Sequence, residues 1–166
     1  MWRAAETIVF RVDYGGEIPT AGFFRCLALA QSWLDAGGRA VFVSARYDPI
    51  GAARLVAEHI ESATVNVFPG TPQDAEQTID AAHGRGAQWV VLEGECSDGD
   101  YQRAIQEAGL RVLVLDDYGS RESWPADFVL NERLDASAAM YPPKSSQSSS
   151  VNCTGWSAGV SRITWA

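Results

Sequence analysis

Between Thr7 and Trp33 the chain reads TIVFRVDYGGEIPTAGFFRCLALAQSW. A β-branched and aromatic run ends in a charged pair, Arg11 and Asp13. A loop containing Gly15 and Gly16 follows, and then Phe23, Leu27, Ala30 and Leu34 recur at helical spacing. This strand, loop and helix set the pattern for the rest of the chain. Strands are expected at about 7–12, 40–44, 64–68, 88–92, 111–115 and 127–130. Helices are expected at about 22–36, 49–60, 72–83 and 98–108. Gly37-Gly38 stop the first helix, and Thr71-Pro72 starts the third, with threonine as cap and proline in the first helical position.

Short strands alternating with helices predict an α/β fold, a Rossmann-like open parallel sheet with helices on both faces. Right-handed crossovers place every β→α loop on one edge of that sheet. In open α/β proteins that edge carries the ligand crevice. The loops are 13–21, 45–48, 69–70, 93–97 and 116–123, and any small-molecule site is built from them. The 166 residues, 46% hydrophobic, suffice for one core. One Rossmann-like N-terminal domain is expected over residues 1–143. The serine-rich segment after Pro143 reads as an irregular or disordered tail, 144–166.

The net charge of −8 argues against nucleic acid and anionic membranes as partners, because phosphate binding needs clustered Lys and Arg. No apolar run is long enough to span a bilayer. No signal-peptide pattern precedes the first charges, so the expected location is cytoplasmic. Three scattered cysteines give no disulfide framework, and two histidines, His59 and His83, give no histidine-rich metal site.

Arg11 and Asp13 stand where the first strand meets its loop. Either Asp13 hydrogen-bonds ligand hydroxyls or orients a water while Arg11 offsets ligand charge, or the two form an ion pair tying the loop to the strand. Gly15, Gly16, Ala21 and Gly22 let backbone N–H groups approach a ligand, or they serve only as a permissive turn. The loop matches neither a dinucleotide-binding fingerprint nor a P-loop. After the fourth strand, Glu93 and Glu95 could divide acid and base roles, since like charges push one pKa upward, or they could simply be solvated. Cys96 has no histidine nearby in sequence to activate it. After the fifth strand, one of Asp116 and Asp117 can cap a turn while the other faces the crevice.

The phrase FRVDYGGEIPTAGFFRCLALAQ resembles the opening of the UDP-2,4-diacetamido-2,4,6-trideoxy-β-L-altropyranose hydrolase family of pseudaminic acid biosynthesis. Phe10, Arg11, Asp13, Ile18, Arg25, Cys26, Leu27, Leu29 and Ala30 carry the likeness. Trp89–Leu92, AGLRVLVLDDYG from Ala108 and ADFVLNERLDASAAMYP from Ala126 agree with later phrases. The resemblance implies one half of a two-domain, glycosyltransferase-B-like architecture. It also implies metal-free hydrolysis of the sugar–UDP bond by water, with a loop histidine as base and the nucleotide held largely by the second half. Here Pro19-Thr20-Ala21-Gly22 stands at the histidine motif, and Gly22 occupies the histidine position.

The expected protein is therefore a nucleotide-sugar hydrolase-like domain, truncated and catalytically impaired. The alternatives are a non-catalytic nucleotide-sugar-binding module or half of a glycosyltransferase. Asp13, Glu95 and Asp117 are the candidate catalytic residues. Arg11, Gly15, Gly16, Tyr118 and Asn131 are the candidate substrate-binding residues. No metal and no cofactor are implied. A UDP-sugar and a separate C-terminal half are the expected partners.

Overall fold

A computed structural model describes residues 6–119, 125–137, 140 and 141, apart from the side chains of Glu95 and Ser97. The expected tail, 144–166, lies outside the described residues. Six strands, β1 (Thr7–Arg11), β2 (Arg39–Ser44), β3 (Glu61–Thr64), β4 (Ala87–Leu92), β5 (Arg111–Leu115) and β6 (Phe128–Leu130), form one sheet in the order β3-β2-β1-β4-β5-β6. Every pairing is parallel. The strand order reverses between β1 and β4, so the crevice of this Rossmann-like sheet opens at their carboxyl ends.

Helices α1 (Thr20–Asp35) and α2 (Pro49–Ala57) cover one face of the sheet, and α3 (Pro72–His83) and α4 (Gly99–Glu107) cover the other. The cores follow the two-residue alternation of the strands. Ile8, Phe10, Trp89, Val91, Leu113 and Leu115 pack toward α1, with Phe23, Leu27 and Ala30 among their partners. Val9, Val90, Leu92, Val112 and Val114 pack toward α3 and α4, against Ala75, Ala82, Tyr101 and Ile105.

Three helices start where side-chain caps dictate. Asp48 accepts from the Gly51 amide at 2.7 Å, Thr71 from Asp74 at 3.3 Å and Asp98 from Tyr101 at 2.7 Å. Helix α1 starts two residues earlier than expected, after Pro19, and has no side-chain cap.

The third strand corrects the sequence reading. It runs over Glu61–Thr64, not over the apolar stretch 64–68. Among the described residues it is an edge strand that pairs with β2 alone, and it needs no buried side chains on both faces. Its charge suits an edge, and Glu61 pairs with Arg85 at 2.7 Å. The apolar stretch becomes loop, with Phe68 80% exposed. A 3₁₀ turn over Gly94–Ser97, also unforeseen, follows β4. Among the described residues, no helix is long and apolar enough to cross a membrane.

Candidate functional site

Strand parity sorts the polar residues at the carboxyl edge into two networks, one on each sheet face. On the α3/α4 face, the wholly buried Arg11 donates from Nε and Nη2 to the two Asp74 oxygens, both at 2.8 Å. Its Nη1 donates to Asp13 Oδ1 at 2.7 Å. Asp74 also accepts from the Gly70 amide, the Thr78 and Tyr101 hydroxyls and the Cys96 thiol. Burial alone would raise the Asp74 pKa, but the Arg11 bond and charge outweigh it and hold the carboxyl below its usual range. Asp13 Oδ1 further accepts from the amides of Ala45 at 2.7 Å and Arg46 at 3.0 Å. Arg11 and Asp13 thus join the β1 terminus to the loop before α2 and, through Asp74, to α3, α4 and the 3₁₀ turn.

On the α1 face, residues just past three strand ends converge on one guanidinium. Arg25 of α1 donates from Nη2 to Glu93 Oε1 at 2.7 Å and from Nη1 to Asp117 Oδ2 at 2.5 Å. Glu93 follows β4, in step with Trp89 and Val91; Asp117 follows β5, in step with Leu113 and Leu115. Glu132, past β6, is close enough to act electrostatically on Arg25, Asp117 and Glu93. Glu93 is pushed up first by burial and then by its acidic neighbours, against the pull of Arg25. Glu132 is raised in the same way. Two buried atoms in this cluster, Arg25 Nε and Glu93 Oε2, have no hydrogen-bond partner among the described residues. A groove of ≈ 240 Å³ beside the cluster is lined by Ala21, Phe24, Arg25, Ala28, Leu29, Ser32, Leu130 and Glu132.

The remaining sequence candidates fall as follows. Gly15 and Gly16 both have positive φ, 95° and 62°. A Cβ on Gly15 would lie 2.5 Å from Asp48 Cβ, so the loop is tight there. Asp116 caps its turn, accepting from the amides of Tyr118 at 3.0 Å and Gly119 at 2.7 Å, and this frees Asp117 for Arg25. The Tyr118 ring is 75% exposed. Asn131 is buried, donates to the Tyr141 hydroxyl at 2.7 Å and accepts from the Arg133 amide at 2.9 Å. The Glu95 side chain lies outside the described residues. Arg11 and Asp13 therefore stand apart from Asp117, with the sheet between their networks. Sequence reasoning names Arg25 only for resemblance, weighs Glu93 beside Glu95 but selects Glu95, and does not single out Glu132. Alternation along β4 and β6 was the signal that places Glu93 and Glu132 on the α1 face.

Neither imidazole is near this crevice. His59 and His83 follow α2 and close α3, at the edge where the strands begin, and His83 Nε2 meets the Ala108 carbonyl at 3.1 Å. Strand β4, Ala87–Leu92, separates that edge from Glu93 by roughly 20 Å. Among the described residues, no group of His, Cys, Asp and Glu is arranged to hold a metal ion.

No protein-family model matches the chain, and no curated protein matches it in sequence. Among solved structures it is similar to MurG of Acinetobacter baumannii, with a TM-score of 0.57 and 12% identity. The likeness covers 84% of this chain and 43% of MurG. At such identity it speaks to the fold, which in MurG is glycosyltransferase-B. The chain is thus a Rossmann-like, glycosyltransferase-B-like α/β domain that spans less than half the length of MurG.

Proposed function

We propose that this chain is the sugar-facing half of a nucleotide-sugar-handling protein, acting as a binding module. The observation that carries the reading is the convergence of Glu93 and Asp117 on Arg25 at the switch point of the sheet. Carboxylates fixed by a guanidinium are acceptors with defined lone pairs, suited to the hydroxyl donors of a sugar. Three carboxylates, Glu93, Asp117 and Glu132, surround one cation, so the rim repels a diphosphate. The nucleotide end of the ligand would then rest on a second Rossmann-like half, a partner consistent with the share of MurG that this chain spans.

The finer reading, release of UDP from a diacetamido-trideoxy sugar, rests on the sequence resemblance. It would have to proceed without an imidazole at the rim. General-base assistance is worth about 10²–10⁴-fold, so hydrolysis at that site is expected to be weak.

The test is a titration of the isotope-labelled protein with UDP-N-acetylglucosamine, UDP and N-acetylglucosamine, followed by amide chemical shifts and, in parallel, by UDP release. The expected result is shifts at Gly22–Arg25, Glu93 and Asp117 with the sugar-bearing compounds, weaker shifts with UDP, and no release above background. Silence toward every sugar-bearing compound would defeat the binding reading, and brisk UDP release would defeat the non-catalytic one.

A further inference from the structure

Gly22 sits in the first turn of α1, directly against Glu93. A Cβ built on it would lie 2.8 Å from both Cγ and Oε1 of Glu93 and 3.0 Å from Cδ. Carbon atoms in contact prefer about 3.5–4.0 Å. Any side chain at position 22 therefore competes with the Glu93 carboxylate for one space. Glu93 cannot simply yield, because Oε1 is held by Arg25 at 2.7 Å and Arg25 is held in turn by Asp117 at 2.5 Å. The other oxygen, Oε2, is unpartnered, as is Arg25 Nε. The Glu93 side chain keeps 12% of its surface open, so a donor that reaches Oε2 finds unused lone pairs while Oε1 stays on Arg25. An anionic group is disfavoured here: Asp117 and Glu132 flank the position, and it would meet three carboxylates; a sugar hydroxyl meets no such repulsion.

We propose that Glu93 is the ligand-contacting acid of the crevice and that Gly22 is the residue that admits it, so that positions 22 and 93 form one specificity-determining pair for a neutral hydrogen-bond donor such as a sugar hydroxyl. The ligand half of this inference rests on the binding reading above; the pairing half does not. Glu93 is faced by Arg25 and Cys26 from α1, by Asp117 past β5 and by Glu132 past β6. Its titration therefore reports on this cluster.

The experiment uses the full chain with side-chain carboxyl carbons labelled. Four proteins are compared: wild type, Gly22→Ala, Glu93→Gln and Gly22→Ala/Glu93→Asp, with UDP-N-acetylglucosamine as probe and circular dichroism as the check on folding. Alanine is a better helix former than glycine, so any loss in Gly22→Ala reports crowding and not helix propensity. The Glu93 titration midpoint is expected to move in Gly22→Ala. Probe affinity is expected to fall about tenfold in Glu93→Gln and in Gly22→Ala, the worth of one hydrogen bond to a charged group. The shorter carboxylate of Gly22→Ala/Glu93→Asp should restore most of that loss. An unmoved midpoint in Gly22→Ala overturns the pairing by itself. Wild-type affinity in Glu93→Gln overturns the ligand contact and leaves the binding reading standing. Failure of the wild type to bind the probe overturns the ligand contact and the binding reading together.

Discussion

Arg11 and Asp74 show what a buried charge requires. Both side chains are fully buried, and each is stabilised by the other and by a ring of secondary donors and acceptors. The value of such a pair is seen when one member is removed, because the survivor is left charged and unpaired. Asp74→Ala should therefore cost about 3–5 kcal/mol, read by urea denaturation. The same network silences Cys96. Its thiol is 1% exposed and is pushed up by burial, with Asp74 adding to the effect against the pull of Arg11. It stays protonated and is a poor nucleophile at neutral pH.

At the level of elements, helix ends carry most of the information. Helix α2 stops at Ala57 and not at Ile60, because His59 adopts a left-handed conformation with φ 57°. The Ile60 amide then reaches back to the Leu55 carbonyl at 2.9 Å, closing the helix in the manner usually left to glycine. A side chain in that conformation costs roughly 1–2 kcal/mol, part of which glycine returns as chain entropy. His59→Gly is accordingly expected to stabilise the protein by about 0.5–1 kcal/mol, measurable as a higher thermal midpoint. The elements with apolar interiors, β1, β2, β4 and β5, were legible in the sequence to within a residue or so. So were α3, through Thr71-Pro72, and α4. The polar edge strand β3 was not, since hydrophobic patterning cannot reveal a strand that buries almost nothing. The site was legible in part. The loops were placed on the right edge, but a loop sequence does not say which face each residue serves. Asp13 and Asp117, grouped together on sequence, are on opposite faces, while Glu93, in step with Trp89 and Val91, belongs with Asp117.

For the whole molecule, the two networks have opposite pH signs. Asp74 is lowered from its ordinary 3.8, so its contribution is complete above that value and is lost as pH falls through the lower folded one. Glu93 and Glu132 are raised from 4.5, so their contribution is complete below that value and is lost as pH rises through the higher folded ones. The net charge of −8 adds self-repulsion toward neutral pH. Thermal midpoints recorded across pH should therefore peak in mildly acidic buffer, and Asp74→Asn should flatten the limb on the acid side. A midpoint rising steadily to pH 8 would contradict this assignment. The strand order β3-β2-β1-β4-β5-β6 also bears on how the chain is made. The central strand leaves the ribosome before all the others described, yet one of its edges has no neighbour until Leu92 has been synthesised. During translation the growing polypeptide carries an apolar strand with one bare edge, and the sheet cannot close around β1 until β4 has been made.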